Sequence, residues 1–313
     1  MHILLQVVLL VLGFVLLVKG ADFFVEGASG IAGKFGIPQL VIGLTIVAMG
    51  TSAPEAAVSI TAALSGGEGV DLTVGNVLGS NSMNVLIILG ITAVIIPVAI
   101  QKSTLKIELP FMIVISAIFL GLGLTGNVIT RLEGGILVVL FLIYMAYLLW
   151  MAKKGNEEVE EENQNKKIWL LLLMTVLGAA AIVIGSDFVV DSASEIAGIL
   201  GVSQRIIGLT IVAFGTSLPE LVTSVTAAKR GKADIAIGNI VGSNIFNLLF
   251  VAGITALITP VAYAKNFLVD GVVTIGAGVL LLLGVIRKQE LRRPVGILMI
   301  AVYAVYLGYL LIG

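Results

Sequence analysis

Apolar runs long enough to cross a bilayer, about 20 residues each, follow one another from end to end of this 313-residue chain. In hydrocarbon each run has to satisfy its own backbone polar groups, so the runs read as helices. Only 12% of the residues are charged, about half of what a soluble domain carries (~25%). Hydrophobic residues make up 58% and the mean hydropathy is +1.14. The expectation is an all-α integral membrane protein with almost no soluble part and the lipid bilayer as its constant partner.

Ten transmembrane helices are expected, near 3–29, 38–64, 71–97, 108–125, 132–152, 168–195, 203–228, 234–258, 267–286 and 294–312. The first 18 residues resemble a signal peptide, but no basic segment precedes the apolar run and no small-residue cleavage site follows it. The stretch also has a counterpart later in the chain, so it reads as the first membrane helix. One segment is plainly soluble, KKGNEEVEEENQNKK (153–167), and its glutamates read as solvated. With that loop in the cytoplasm, fourteen Lys and Arg fall on the inner side and only Arg131, Arg205 and Lys265 on the outer side. This asymmetry predicts a multi-pass cell-membrane protein with both termini extracellular.

The chain repeats itself. GADFFVEGASGIAGKFGI (20–37) aligns with GSDFVVDSASEIAGILGV (185–202), 165 positions on. GLTIVAMGTSAPE, beginning at Gly43, aligns with GLTIVAFGTSLPE, beginning at Gly208, at the same offset. DLTVGNVLGSNSMNVL (71–86) aligns with DIAIGNIVGSNIFNLL (234–249), 163 positions on. Residues 1–152 and 168–313 therefore read as two copies of one five-helix unit. Five is odd, so the copies should cross in opposite senses, giving two inverted-topology repeats with a site at their interface, as in secondary transporters.

The most similar segments carry charge where charge is expensive. A carboxylate at a helix centre costs roughly 2.5–3.5 kcal/mol on insertion scales, and Glu55 and Glu220 occupy equivalent positions of the two copies. Meeting near the midplane, they would need a cation or a proton between them. Their surroundings favour a cation. Pro54 and Pro219 lack an N–H, which frees the carbonyls of Gly50 and Gly215. Ser52, Thr51 and Ala48 lie three, four and seven residues before Glu55, on its helical face. Ser217, Thr216 and Ala213 match them before Glu220. Ser80 with Asn84, and Ser243 with Asn247, share faces of the second motif and supply an opposing wall. Gly75, Gly79, Gly238 and Gly242 read as close-packing positions, and Asn76, Asn81, Asn239 and Asn244 read as interhelical hydrogen-bonding residues or ligands. Such an all-oxygen set suits hard cations, since calcium takes about 6–8 oxygens and sodium accepts subsets of them.

Other chemistries lack their residues. The chain has no cysteine and one histidine, His2, and no GxxxxGK[ST] stretch. Thiolate or histidine metal sites and an intrinsic ATP motor are not expected. Nor are an enzymatic activity, a cofactor, a nucleic-acid partner or an obligatory protein partner.

At GTSAPE…GSNSMN and GTSLPE…GSNIFN the chain resembles the cation/calcium antiporter superfamily, in particular its prokaryotic sodium/calcium exchangers. The resemblance covers essentially the whole chain. It implies that Glu55 and Glu220 bind calcium and share in sodium binding, with the carbonyls of Thr51 and Thr216. It implies one flanking sodium site at Ser52, Ser80 and the Ala48 carbonyl, and another at Ser217, Ser243 and the Ala213 carbonyl. Asn84 and Asn247 would lie between the glutamates, and helices 1 and 6 would slide as a pair. Some relatives carry aspartate where this chain has Asn247; asparagine leaves two core carboxylates, which argues against potassium co-transport. The function implied is exchange of calcium for sodium by alternating access. The rival readings are a calcium/proton antiporter on the same fold and, further off, a cation channel.

Overall fold

The computed structural model describes residues 2–65, 72–154, 166–202, 207, 211–265 and 267–312. Among the described residues eight helices are long and apolar enough to span a membrane: α1 (Ile3–Phe35), α4 (Thr73–Ile95), α5 (Thr104–Gly126), α6 (Arg131–Lys154), α7 (Ile168–Ile199), α10 (Ala233–Ile258), α11 (Phe267–Val285) and α12 (Arg293–Leu311). A ninth span is a broken one, α2 (Gln39–Thr51) and α3 (Ala53–Leu64), bent by 51° at Ser52. Its counterpart in the second half comprises α8 (Ala213–Thr216) and α9 (Leu218–Lys229), broken at Ser217. The start of that expected span, and most of the 153–167 loop, lie outside the described residues.

The layering follows from composition. In α4 and α10, 72% and 83% of the apolar window is buried, against 17–39% in the other long helices. These two helices carry the Gly-Asn-Ser motifs, so the least hydropathic of the long helices (mean hydropathy 1.7 and 1.8) sit innermost and the more apolar ones (2.0–2.6) face outward. That is the arrangement lipid imposes.

Small residues set the closest contacts. α1 and α7 run antiparallel along a seam where Gly13 meets the Gly185 carbonyl, Gly20 meets that of Gly178, and Gly27 meets Thr175. Glycines seven apart on α1 stay on one face of a slowly supercoiling pair. The expectation that the first helix ends near 29 is corrected, because Gly27 and Gly30 pack against Thr175 and Leu171 and the helix continues. It stops where Gly36 takes a φ of +61°, a left-handed terminus that glycine adopts without strain.

Among the described residues, four two-residue strands join the halves. β1 (Val98–Ala99) pairs antiparallel with β4 (Glu290–Leu291), and β2 (Val128–Ile129) pairs with β3 (Val261–Ala262). Each pair takes one strand from either half of the chain. Within α4 and α10 the turns opening at Asn84 (Asn84–Leu89) and Asn247 (Asn247–Val251) widen into π-helix, a distortion that recurs at functional positions.

The α1–α7 seam is directly testable. A Cβ at Gly178 would stand 2.5 Å from the Phe24 nitrogen and 2.8 Å from the Gly20 oxygen. Gly178→Val is expected to cost about 1–3 kcal/mol by overpacking, read as a lowered melting temperature of the detergent-purified protein. Gly276→Ala, with nothing within 4 Å, should leave it unchanged.

Candidate functional site

Both glutamates begin helices inside the protein. Pro54 and Pro219 stand in the first turn of α3 and α9, where a missing N–H costs nothing. Ser52 and Ser217 leave helical geometry with ψ of 9° and 3°. Glu55 and Glu220 therefore lie in the first turns of two buried helices, where unpaired N–H groups favour negative charge. They are 1% and 0% exposed, and Ser52, three residues before Glu55, is within hydrogen-bond reach of Glu220.

The two carboxylates are held differently. Ser52 Oγ donates to Glu220 Oε1 across the halves at 2.8 Å, and Ser243 Oγ donates to the Ala48 carbonyl at 3.3 Å. The matching bonds on the other flank are missing among the described residues. Ser217 Oγ and both oxygens of Glu55 have no partner, and the Ser217 N–H turns to the Phe214 carbonyl at 3.2 Å, whereas that of Ser52 takes Ala48 at 3.0 Å. Ser80 instead lines a cavity of about 260 Å³, shared with Thr216, Asn76 and Gly79, on the face where α11 begins.

Four asparagines form the frame. Asn81 Nδ2 donates to the Asn244 carbonyl and Asn244 Nδ2 to the Asn81 carbonyl, each at 3.1 Å. Their side-chain oxygens accept from Asn247 Nδ2 (3.3 Å) and Asn84 Nδ2 (3.0 Å) respectively. With their NH₂ groups thus engaged, Asn84 Oδ1 and Asn247 Oδ1 remain buried and unpartnered. Asn76 Nδ2 grips the Glu55 carbonyl and Ser59 (3.3 and 3.1 Å), and Asn239 Nδ2 grips the Glu220 carbonyl and Ser224 (3.3 and 2.9 Å). Thr51 Oγ1 donates to Asn239 Oδ1 at 2.9 Å. Asn76, Asn81, Asn239 and Asn244 are thus interhelical struts, the first of the two roles open to them in the sequence.

The result is a concentration of unsatisfied oxygen. Among the described residues, Glu55 Oε1 and Oε2, Glu220 Oε2, Asn84 Oδ1, Asn247 Oδ1 and Ser217 Oγ are all buried without a hydrogen-bond partner. Buried polar atoms are rarely left so, and an unpaired buried charge is costlier still. Among the described residues no three His, Cys, Asp or Glu side chains cluster, so the acidic component is the two glutamates, completed by neutral oxygens. That donor set fits a hard cation.

Three features were not read from the sequence as they stand here. Gly79 is not a packing position, since a Cβ there meets nothing within 4 Å, while Gly75, Gly238 and Gly242 do abut neighbours. The Gly215 carbonyl freed by Pro219 is not turned to the site; Ser186 Oγ on α7 donates to it at 2.8 Å. Ser59 and Ser224, four residues after each glutamate, escaped notice, although their recurrence in both copies was a usable signal.

The whole chain has counterparts of known kind. The family model described as sodium/calcium exchanger protein matches residues 5–150 and 170–312. The chain is 40% identical over 295 residues to the putative antiporter CaxA of Alkalimonas amylolytica, covering 91% of each. It is 34% identical to the sodium/calcium exchanger MaX1 of Methanosarcina acetivorans, covering 96% of each. The solved sodium-calcium exchanger NCX_Mj, soaked with 10 mM Na+ and zero Ca2+, superposes with a TM-score of 0.84 at 33% identity, covering 98% of this chain and 99% of that one.

The asparagine frame gives a second prediction. Asn244→Ala removes the acceptor of Asn84 and the donor to Asn81, leaving buried groups unsatisfied at about 1–3 kcal/mol. Thermal unfolding should fall accordingly, with Asn244→Gln recovering little because the longer side chain cannot keep both contacts.

Proposed function

The chain belongs to the sodium/calcium exchanger protein family, and on that premise we propose how its residues carry calcium one way and sodium the other. The observation that carries the reading is the set of six unpartnered buried oxygens around Glu55 and Glu220. Calcium neutralises the two carboxylates together, with the carbonyls of Thr51 and Thr216 and the amide oxygens of Asn84 and Asn247 completing its shell. The sequence grouped Ser80 with Ser52 and Ala48, but Ser243 is the serine that bonds the Ala48 carbonyl, while Ser80 shares its cavity with Thr216. Sodium ions therefore take Ser52, Ser243 and the Ala48 carbonyl on one flank, and Ser217, Ser80 and the Ala213 carbonyl on the other, sharing the same glutamates. Ser52 reaches Glu220 and Ser243 reaches Ala48, so the flanks interleave across the halves. Loading one ion therefore removes oxygens the other needs. If only loaded states reorient, this competition couples the fluxes, because a ligand shifts a conformational equilibrium only by its differential affinity.

The architecture proposed is ten spans in two inverted five-helix units, 1–152 and 168–313, joined by the 153–167 loop. Antiparallel packing of α1 on α7 and strand pairs that each draw on both halves support it. The basic residues favour a cytoplasmic 153–167 loop, extracellular termini and the cell membrane. On that orientation the 260 Å³ cavity opens outward while the Ser52–Glu220 and Ser243–Ala48 flank is closed. One flank open and one closed is the asymmetry alternating access requires.

Reconstituted protein should take up radioactive calcium when vesicles hold internal sodium. Glu55→Gln or Glu220→Gln should lower that uptake at least a hundredfold, since each removes a charge the divalent ion needs. Normal transport by either variant would sink the site assignment. Uptake driven by a pH gradient in the absence of sodium would replace sodium with protons as the coupling ion.

A further inference from the structure

The cavity that reaches Ser80 and Thr216 is also lined by a carboxylate that the proposed ion site does not use. Asp270, in the first turn of α11, contributes to its wall together with Asn76, Tyr303 and Tyr306. Asp270 Oδ1 accepts a hydrogen bond from the Tyr306 hydroxyl, and among the described residues no Lys or Arg pairs with it. A half-buried carboxylate at the edge of a bilayer is costly without a counter-charge. Its place in a helix first turn offsets part of that and no more.

One reading makes Asp270 a strut that ties α11 to α12 through Tyr306. The first half of the chain contains such a strut for comparison. Glu108 on α5 accepts from Tyr147 on α6 at 2.7 Å, is 0% exposed, and adjoins a cavity lined by Ile107, Phe111, Leu140 and Ile143 with Tyr144 and Tyr147. At the 163-residue offset of the adjoining strands Asp270 aligns with Ile107, so the second half places its acid one position away. The same acid–tyrosine joint is sealed in one half and, in the other, open to a chamber that Asn76, Ser80 and Thr216 also line.

The chamber has two further marks of a ligand space. Ser80 is 6% exposed, makes no hydrogen bond among the described residues and lines it. Gly79, on its wall, leaves open space where a larger side chain would fit. We propose that Asp270 is the anchor of an accessory calcium-binding site in this chamber, where a calcium ion keeping part of its water shell rests before reaching Glu55 and Glu220. Asn76 and Ser80 supply neutral oxygens around the same space. One carboxylate makes the site weak, with a Kd on the order of 10⁻⁴–10⁻³ M, as in low-affinity calcium modules. The proposal rests on the exchange reading of the central site and extends it outward.

Two measurements test it. In sodium-free equilibrium dialysis with radioactive calcium, the Glu55→Gln/Glu220→Gln protein should retain one weak calcium per chain. Adding Asp270→Asn should remove it. No residual binding in a monodisperse double variant, or residual binding indifferent to Asp270→Asn, overturns the proposal. In the otherwise native chain, vesicles of defined orientation receive calcium on the face where α11 begins. Asp270→Asn should there raise the calcium KM threefold or more with kcat held within twofold, and Asp270→Glu should restore most of it. Tyr306→Phe cuts the interhelical bond but keeps the carboxylate, so it should leave the KM near its native value. If Asp270→Asn and Tyr306→Phe both lower kcat at constant KM, the residue is a strut and the proposal fails. If native vesicles show no sodium-driven uptake at all, the exchange reading has failed instead, and the dialysis result still decides the chamber.

Discussion

Two carboxylates that cannot both stay charged and unaccompanied in a bilayer govern the rest of this structure. Three of their four oxygens lack a partner, and nothing in hydrocarbon substitutes for water around them. The chain meets the problem by geometry before chemistry. Proline ends one helix and starts another at each glutamate, so the charge faces a helix N-terminus. Asn76 and Asn239 then fix the turn that follows by holding the glutamate carbonyls. The same NH₂ groups also bond Ser59 and Ser224, so the backbone that carries each carboxylate is fixed.

That division of labour explains why so many amides are buried here. An amide has two donors and an acceptor. In Asn84 and Asn247 an NH₂ group is spent on the frame and the oxygen is left for the site. A serine or threonine could not separate the two jobs so cleanly, because its hydroxyl is both donor and acceptor. The reciprocal Asn81–Asn244 pair closes the frame through backbone carbonyls, at the point where the widened turns of α4 and α10 begin nearby.

Much of this was legible in the sequence because a membrane makes polar letters rare. Glu55 and Glu220, the serines before them and the paired asparagines stand out from apolar runs, and their repetition marks them twice. What stayed hidden depends on neighbours without letters of their own. Ser186 looks like another small residue until the Gly215 carbonyl is seen beside it. Gly75 and Gly79 are indistinguishable in the chain, yet one abuts Phe267 and the other faces open space. α1 runs beyond the end near 29 expected for it because Gly27 and Gly30 let it pack closely against Thr175 and Leu171. Asp270 has no acid at its matching position, Ile107, and only the cavity beside it gives it a meaning.

The four short strands carry a mechanical consequence out of proportion to their size. Each pair splices a connector of one half to a connector of the other, β1 following α4 while β4 precedes α12, and β2 following α5 while β3 precedes α11. Successive connectors lie on opposite faces of a bundle, so the halves are riveted at top and bottom. Two rivets at opposite ends suppress rocking of one half against the other. The freedom left belongs to elements the rivets do not reach, and α1 with α7 is the largest of these, joined to each other along a smooth glycine seam. On the exchange mechanism proposed above, that leaves the α1–α7 pair to slide over a frame drawn from both copies.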